Sequence, residues 1–145
     1  MKKAVFAYFD TSAWLKIYVR EEGCDEARDL ARRHHLFSSG ILLTEAFSAL
    51  RRKREAREIS DAVLRRLVGV MREDVSAIEI IHPGAEVLAR SQEVVLATAA
   101  RTLDAIHIAS ALVLQSRAEL SLTFVTADRR QLDAARGQGL ATHFV

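Results

Sequence analysis

Ala4-Val5-Phe6-Ala7-Tyr8-Phe9, followed at once by Asp10-Thr11-Ser12, is the stretch on which the fold turns. A short run of unbroken apolar residues is the pattern of a strand covered on both faces, which places it centrally in a sheet. Beyond it Trp14, Leu15, Tyr18 and Val19 recur at helical spacing, so the chain passes from a buried strand into a helix.

The rest of the chain repeats this alternation. A second helix is expected from about Asp25 to Arg33, and Leu36-Phe37-Ser38 is a brief strand. A helix over Ile41 to Glu55 turns Leu43, Ala46, Phe47 and Leu50 to one side, and another fits Ser60 to Glu73. Ala77 to Ile81 reads as the third strand, stopped by His82-Pro83, with a helix over roughly Ala85 to Ala99 after it. From Leu103 through Gln115 only Asp104 and His107 interrupt uncharged residues, the mark of a helix from Thr102 onward that is buried nearly all round. Leu122 to Thr126 is a fourth strand, Arg129 to Arg136 a helix stopped by Gly137 to Gly139, and Leu140 to Val145 an edge strand. Strands separated by helices cannot pair as hairpins and lie parallel with right-handed crossovers. The expected fold is therefore α/β: a three-layer α/β/α sandwich around a central, mostly parallel sheet of four to five strands, formed by one domain over residues 1–145.

Composition agrees and narrows the function classes. Half of the 145 residues are apolar, which supports a real core, and 28 % charged residues, 21 basic against 19 acidic, fit neither a disordered polyampholyte tail nor a histone-like basic protein. The lone cysteine, Cys24, rules out an internal disulfide and a cysteine-rich zinc site, and it agrees with a reducing cytoplasm. The apolar run breaks at Asp10, too early for a signal peptide or a membrane span, so a cytoplasmic protein without a membrane partner is expected.

In parallel sheets ligands bind beyond the carboxyl ends of the strands, which draws attention to acids placed there. Asp10 follows the first strand and Asp128 the fourth; each is also a good helix cap, and Asp128 with Gln131 resembles a capping box. Asp104, behind a possible Thr102 cap, suits the positive end of its helix. Glu45 lies within a helix with Ile41, Leu42, Ser48 and Ala49 at the three- and four-residue offsets, and no basic neighbour on that helix is expected to pair with it. Such a carboxylate faces solvent, shifts its pKa, or finds a cation elsewhere in the fold. Were the four acids to meet, repulsion of several kcal/mol per pair at ~4 Å and an effective dielectric near 20 would call for a counterion. Oxygen-only ligation suits Mg²⁺ or Mn²⁺ rather than structural zinc.

Phe9-Asp10-Thr11-Ser12-Ala13, Thr44-Glu45, Leu103-Asp104-Ala105-Ile106-His107-Ile108-Ala109-Ser110-Ala111 and Val125-Thr126-Ala127-Asp128 resemble, in order, the four acidic motifs of PIN-domain proteins, most closely VapC-type toxin ribonucleases. The resemblance runs nearly end to end. It implies a metal-dependent endoribonuclease, the toxin of a type II toxin–antitoxin pair, with a small antitoxin as partner, RNA as substrate and a homodimer as the usual state. By motif, Asp10, Glu45, Asp104 and Asp128 are implied as catalytic and metal-binding residues, and Ser12 and Thr126 as the hydroxyls that orient them. A metal-activated water would attack the phosphodiester, with Asp10 or Asp128 accepting its proton, and the products would carry a 5′-phosphate and a 3′-hydroxyl.

Other families with an acid after the first strand fit less well. A haloacid-dehalogenase-like phosphatase needs a second aspartate where Ser12 stands, and a response-regulator receiver needs a phospho-acceptor where Ile81-His82-Pro83 stands. The alternative from another class is a non-cleaving PIN-like module that holds RNA or protein. For RNA contact the candidates are Lys16, Arg51, Arg52 and Arg129, although the basic run Arg51 to Arg54 also reads as a solvated helix end. His107, three residues after Asp104, is expected to be a hydrogen-bonded core histidine rather than a ligand of a hard metal, and Trp14 and Tyr18 are expected in the core rather than stacked on bases.

Overall fold

Residue Ala4, with which the first strand was expected to open, lies outside the residues that the computed structural model describes, 5–145. Strand β1 runs over Phe6–Phe9 and leads into helix α1, Thr11–Lys16. Helix α2 (Cys24–Arg33) and strand β2 (His35–Ser39) follow, then helices α3 (Leu42–Glu55) and α4 (Asp61–Asp74), strand β3 (Glu79–Ile81) and helix α5 (Ala85–Ala97). Helix α6 (Thr102–Ala118), strand β4 (Leu122–Thr126), helix α7 (Arg129–Gly137) and strand β5 (Ala141–Phe144) complete the order.

The five strands form one sheet in the order β3-β2-β1-β4-β5, every neighbouring pair parallel. The apolar first strand is central, as its unbroken pattern requires, and β5 is an edge. Alternation along β1 assigns the two faces. Ala7 and Phe9 join Trp14, Leu30, Leu42, Leu50 and Met71 from α1 to α4 on one side, while Tyr8 joins Phe124 and residues of α5, α6 and α7 on the other. Helix α6 lies between sheet and α5, and Ala105 through Ala111 are all buried, which explains its lack of charge.

Chain connectivity leaves β1 in opposite directions, to β2 on one side and to β4 on the other only after a long excursion. The carboxyl edge between β1 and β4 is therefore a topological switch point, the place where such sheets leave a crevice. Phe9 is in register with Val125, so Asp10 and Thr126 emerge side by side, and the Asp10 amide continues the ladder by donating to the Val125 carbonyl at 3.1 Å.

Two local expectations are corrected. Thr102 does not cap α6: it is the first helical residue, and extended Arg101 takes the cap position without a side-chain bond. Asp128 does cap α7, accepting from the amides of Arg130 and Gln131, but the Gln131 side chain does not return to it as a capping box would. That amide is buried and turned toward Thr126 Oγ1 and the Asp104 carbonyl, each at 3.5 Å. Among the described residues no single helix is long and apolar enough to cross a membrane.

Candidate metal centre and nuclease site

The site begins with the turn that ends β1. Asp10 is extended, and its Oδ1 accepts from the Ala13 amide at 2.8 Å, so the residue caps α1 as its position suggested. Ser12 Oγ lies 2.8 Å from both Asp10 oxygens, and Thr126 Oγ1 donates to Oδ2 at 2.8 Å. These hydroxyls are held in turn, because Ser12 Oγ accepts from the Ala127 amide at 2.9 Å and Thr126 Oγ1 from the Asp128 amide at 3.1 Å. Three hydrogens thus serve a carboxylate with about four acceptor positions, which leaves one open.

Asp104 enters from the first turn of α6, Glu45 from α3, and Asp128 from the turn after β4. All four acids line one cavity of about 170 Å³, together with Thr11, Ser12, Arg52, His107 and Gln131. Burial pushes the Asp10 carboxyl up to about 6, outweighing the charge of His107 and the donors from Ala13, Thr126 and Ser12. Burial also raises Asp104, and the negative charges of Asp128 and Glu45 raise it further. Burial pushes Glu45 upward too, but the hydrogen bond and charge of His107, the Thr11 hydroxyl and Arg52 together hold it below the ordinary glutamate value.

Glu45 thereby answers the question its sequence context posed. It is not simply solvent-facing: His107 Nε2 is 2.6 Å from Oε1, and Thr11 donates to the same oxygen at 2.7 Å. The expectation that its own helix offers no cation is corrected by Arg52, which stands two turns along the same face, outside the one-turn window that sequence spacing examines. Of the other RNA-contact candidates, none lines the cavity. Lys16 donates to the Glu22 carbonyl at 2.7 Å and pairs with Glu21, Arg51 pairs with Glu55, and the Arg129 guanidinium lies 3.9 Å over the Phe144 ring. Arg52 has only the Ser48 hydroxyl, at 2.9 Å, among the described residues.

His107 is 2 % exposed and bonded to Tyr8, Thr11 and Glu45, the hydrogen-bonded core histidine expected. Trp14 is buried, and Tyr18 is half-buried with its hydroxyl donating to Asp74 Oδ2 at 2.9 Å. From the sequence Thr11 has no role beyond its place in the first motif, and Gln131 has only that of a capping-box partner. A threonine in the first turn of a helix and a glutamine three residues past a cap both pass as local helix chemistry.

The donors can be tested against a divalent ion. Among the described residues no three acidic, histidine or cysteine side chains converge closely enough to close on one ion. A dedicated protein cage is thus not what the site offers. Mg²⁺ does not need one, since it keeps several waters and binds through one or two carboxylates plus substrate phosphate. A half-buried Asp104 raised further by the charges of Asp128 and Glu45, at a polar cavity with room for water, fits a hydrated hard cation.

Comparison with known proteins adds to this geometry. No curated protein matches the chain significantly. Among solved structures, a toxin–antitoxin complex from Klebsiella pneumoniae superimposes with a TM-score of 0.66 at 18 % identity, covering 90 % of this chain and 93 % of that one. VapBC2 of Rickettsia felis, bound to a DNA fragment from its promoter, gives 0.67 at 14 % identity, with 97 % and 99 % covered. VapC20 of Mycobacterium tuberculosis, described as a sarcin-ricin-loop-cleaving toxin, gives 0.63 at 15 % identity, with 88 % and 94 % covered. At these identities the likeness is one of fold. The model of the PIN domain matches residues 7–137, a span that takes in Asp10, Glu45, Asp104 and Asp128, and the chain belongs to the PIN domain family.

Proposed function

We propose that this protein is a Mg²⁺-dependent endoribonuclease, with Mn²⁺ as a substitute ion, and the toxin of a type II toxin–antitoxin pair. The observation that carries the reading is the convergence of four acids from four separate segments on one cavity at the switch point of the sheet. Membership of the PIN family supports it, as do structural neighbours that include toxin–antitoxin complexes and an RNA-cleaving toxin. On this reading the chain's partners are RNA, a cognate antitoxin and a second copy of itself, and its place is the cytoplasm.

Asp10, Glu45, Asp104 and Asp128 would hold a hydrated ion, one or two of them directly and the others through its waters. When bound, it supplies positive charge for the phosphate oxygens and a water of lowered pKa. Ser12 and Thr126 fix Asp10 from two sides, so its open acceptor position keeps one direction. Asp128 takes both backbone donors on Oδ1, which leaves Oδ2 without a protein partner among the described residues and makes it the freer acceptor for the attacking water's proton. Arg52 faces the substrate phosphate, the basic side chain best placed to do so.

The decisive experiment is incubation of purified protein with cellular RNA and Mn²⁺, followed by sequencing of the new ends. Cleavage that chelator stops, leaving 5′-phosphates, is expected. RNA binding without cleavage under the same conditions would transfer the protein to the non-cleaving class.

Two variants refine the assignment. Asp104→Asn removes a charge that burial and, after it, the neighbouring acids disfavour, so in chelator it melts slightly above wild type. With Mn²⁺ present it gains less than wild type, about 1.4 kcal/mol less for each tenfold loss of affinity. Equal gains, read by calorimetry, would remove Asp104 from the site. Arg52→Gln is expected to raise KM about tenfold and flatten the salt dependence of RNA binding by roughly one phosphate contact, with kcat little changed.

A further inference from the structure

Behind the acids, the second face of the sheet carries a buried polar chain that the reaction does not use directly. Tyr8 Oη, fully buried in the central strand, is 2.8 Å from His107 Nδ1. The Tyr8 ring stacks on Phe124 at 5.3 Å with an interplanar angle of 7°, and the His107 ring meets its edge at 76°, so neither ring has room to turn. His107 Nε2 faces Glu45 Oε1 at 2.6 Å, and a nitrogen that faces a carboxylate at this distance carries the hydrogen. Thr11 Oγ1 closes the triangle, donating to the same Oε1 and lying 3.1 Å from Nε2. Both bonds fall on Oε1. Oε2 has no protein partner among the described residues, although Glu45 lines the cavity with the other acids.

A glutamate has three rotatable bonds, and at 20 % exposure packing alone does not fix its end. Two donors on one oxygen do, and one of them is anchored to the central strand through Tyr8. Helix α6 makes this possible because Asp104 and His107, three residues apart, share a face: the acid reaches the cavity and the imidazole reaches the acid from α3. We propose that Tyr8 and His107 form a brace that holds Glu45 Oε1 in place and presents Oε2 to the cavity, which makes His107 a positioning residue of this site. The role given to Oε2 rests on the reading of the cavity as a metal centre; the brace itself is a property of the chain without any ion.

Metal-free crystal structures and Mn²⁺ titration calorimetry of chelator-treated protein test the two parts separately. In His107→Leu, Glu45 is expected to occupy more than one rotamer and the Mn²⁺ dissociation constant to rise about 10- to 100-fold. His107→Gln, which restores an N–H donor, is expected to stay within about threefold of wild type. Should His107→Leu fail to fold because the Tyr8 hydroxyl is orphaned, Tyr8→Phe/His107→Leu removes both polar partners and carries the same expectation. Glu45 unmoved in the metal-free variant, or a loss in His107→Gln as large as in His107→Leu, overturns the brace. Wild type that binds no millimolar Mn²⁺, with Glu45 released in the variant, supports the brace and overturns the metal reading instead.

Discussion

Asp10→Asn is expected to lower Mn²⁺-dependent RNA cleavage on the order of 10³-fold while the protein remains folded. The side chain keeps its shape, and Oδ1 can still accept from Ala13, so the cap on α1 survives. The charge is lost, and with it a share of the several kcal/mol that a correctly held metal contributes to the transition state. Stability separates this outcome from mere unfolding. Asp10 is pushed up to about 6 in the folded protein against an ordinary value of 3.8, so the native state holds its proton more tightly than the unfolded chain. Wild-type stability in chelator therefore falls as pH rises from about 4 to 6, and the full penalty remains above that window. An asparagine does not titrate, so the stability of the variant relative to wild type should improve by about 3 kcal/mol between pH 3 and pH 8. Denaturant titrations in chelator at those two pH values measure it. A relative stability independent of pH would mean that Asp10 is not buried as an unpaired acid, and full cleavage by the folded variant would place the chemistry elsewhere.

How far the sequence leads to this site differs from residue to residue. Strand β1 and Asp10 are legible because their cause is local: an apolar run with no polar face belongs at the centre of a parallel sheet, and the residue after it lies at the edge where ligands bind. Asp128 is legible for the same reason, although nothing local says that β4 is the neighbour of β1. Helix α6 announces its burial by its lack of charge. What the spacing hides is anything that depends on contact between distant segments. His107 and Glu45 are 62 positions apart and Tyr8 and His107 are 99, so neither bond leaves a periodic trace. The basic residues show the converse. Arg129 beside a motif acid reads as a phosphate contact; in the fold its guanidinium lies over the ring of Phe144 on the edge strand, and Arg51 is paired with Glu55, contacts that spacing beside the acids does not show. Arg52, one residue from Arg51 on the same helix, lines the cavity because it occupies the face that carries Glu45.

Trp14→Ala carries the second large effect, and it separates a structural role from an RNA-binding one. An indole one turn into a helix that opens at the acid site invites the idea of base stacking. The side chain is 1 % exposed, packs edge-on to Tyr18 at 5.1 Å, and belongs to the cluster that joins α1 to α2, α3, α4 and the first face of the sheet. Truncation removes the largest buried side chain in the protein and leaves a cavity that neighbours on several elements cannot close. A loss of about 3–5 kcal/mol is expected, which for a domain of this size lowers Tm by roughly 10–15 °C. Trp14→Phe keeps most of the volume and should lose less than half as much. Because α1 carries Thr11 and Ser12, some loosening around Asp10 follows, but cleavage per folded molecule well below the new Tm should stay within about tenfold of wild type. A residue that stacked on RNA would behave in the opposite way, losing affinity by roughly 1–3 kcal/mol per base with stability intact. Thermal melts and RNA titrations on the same preparation decide between the two, and unchanged Tm with weakened RNA binding would move Trp14 out of the core and into the substrate path.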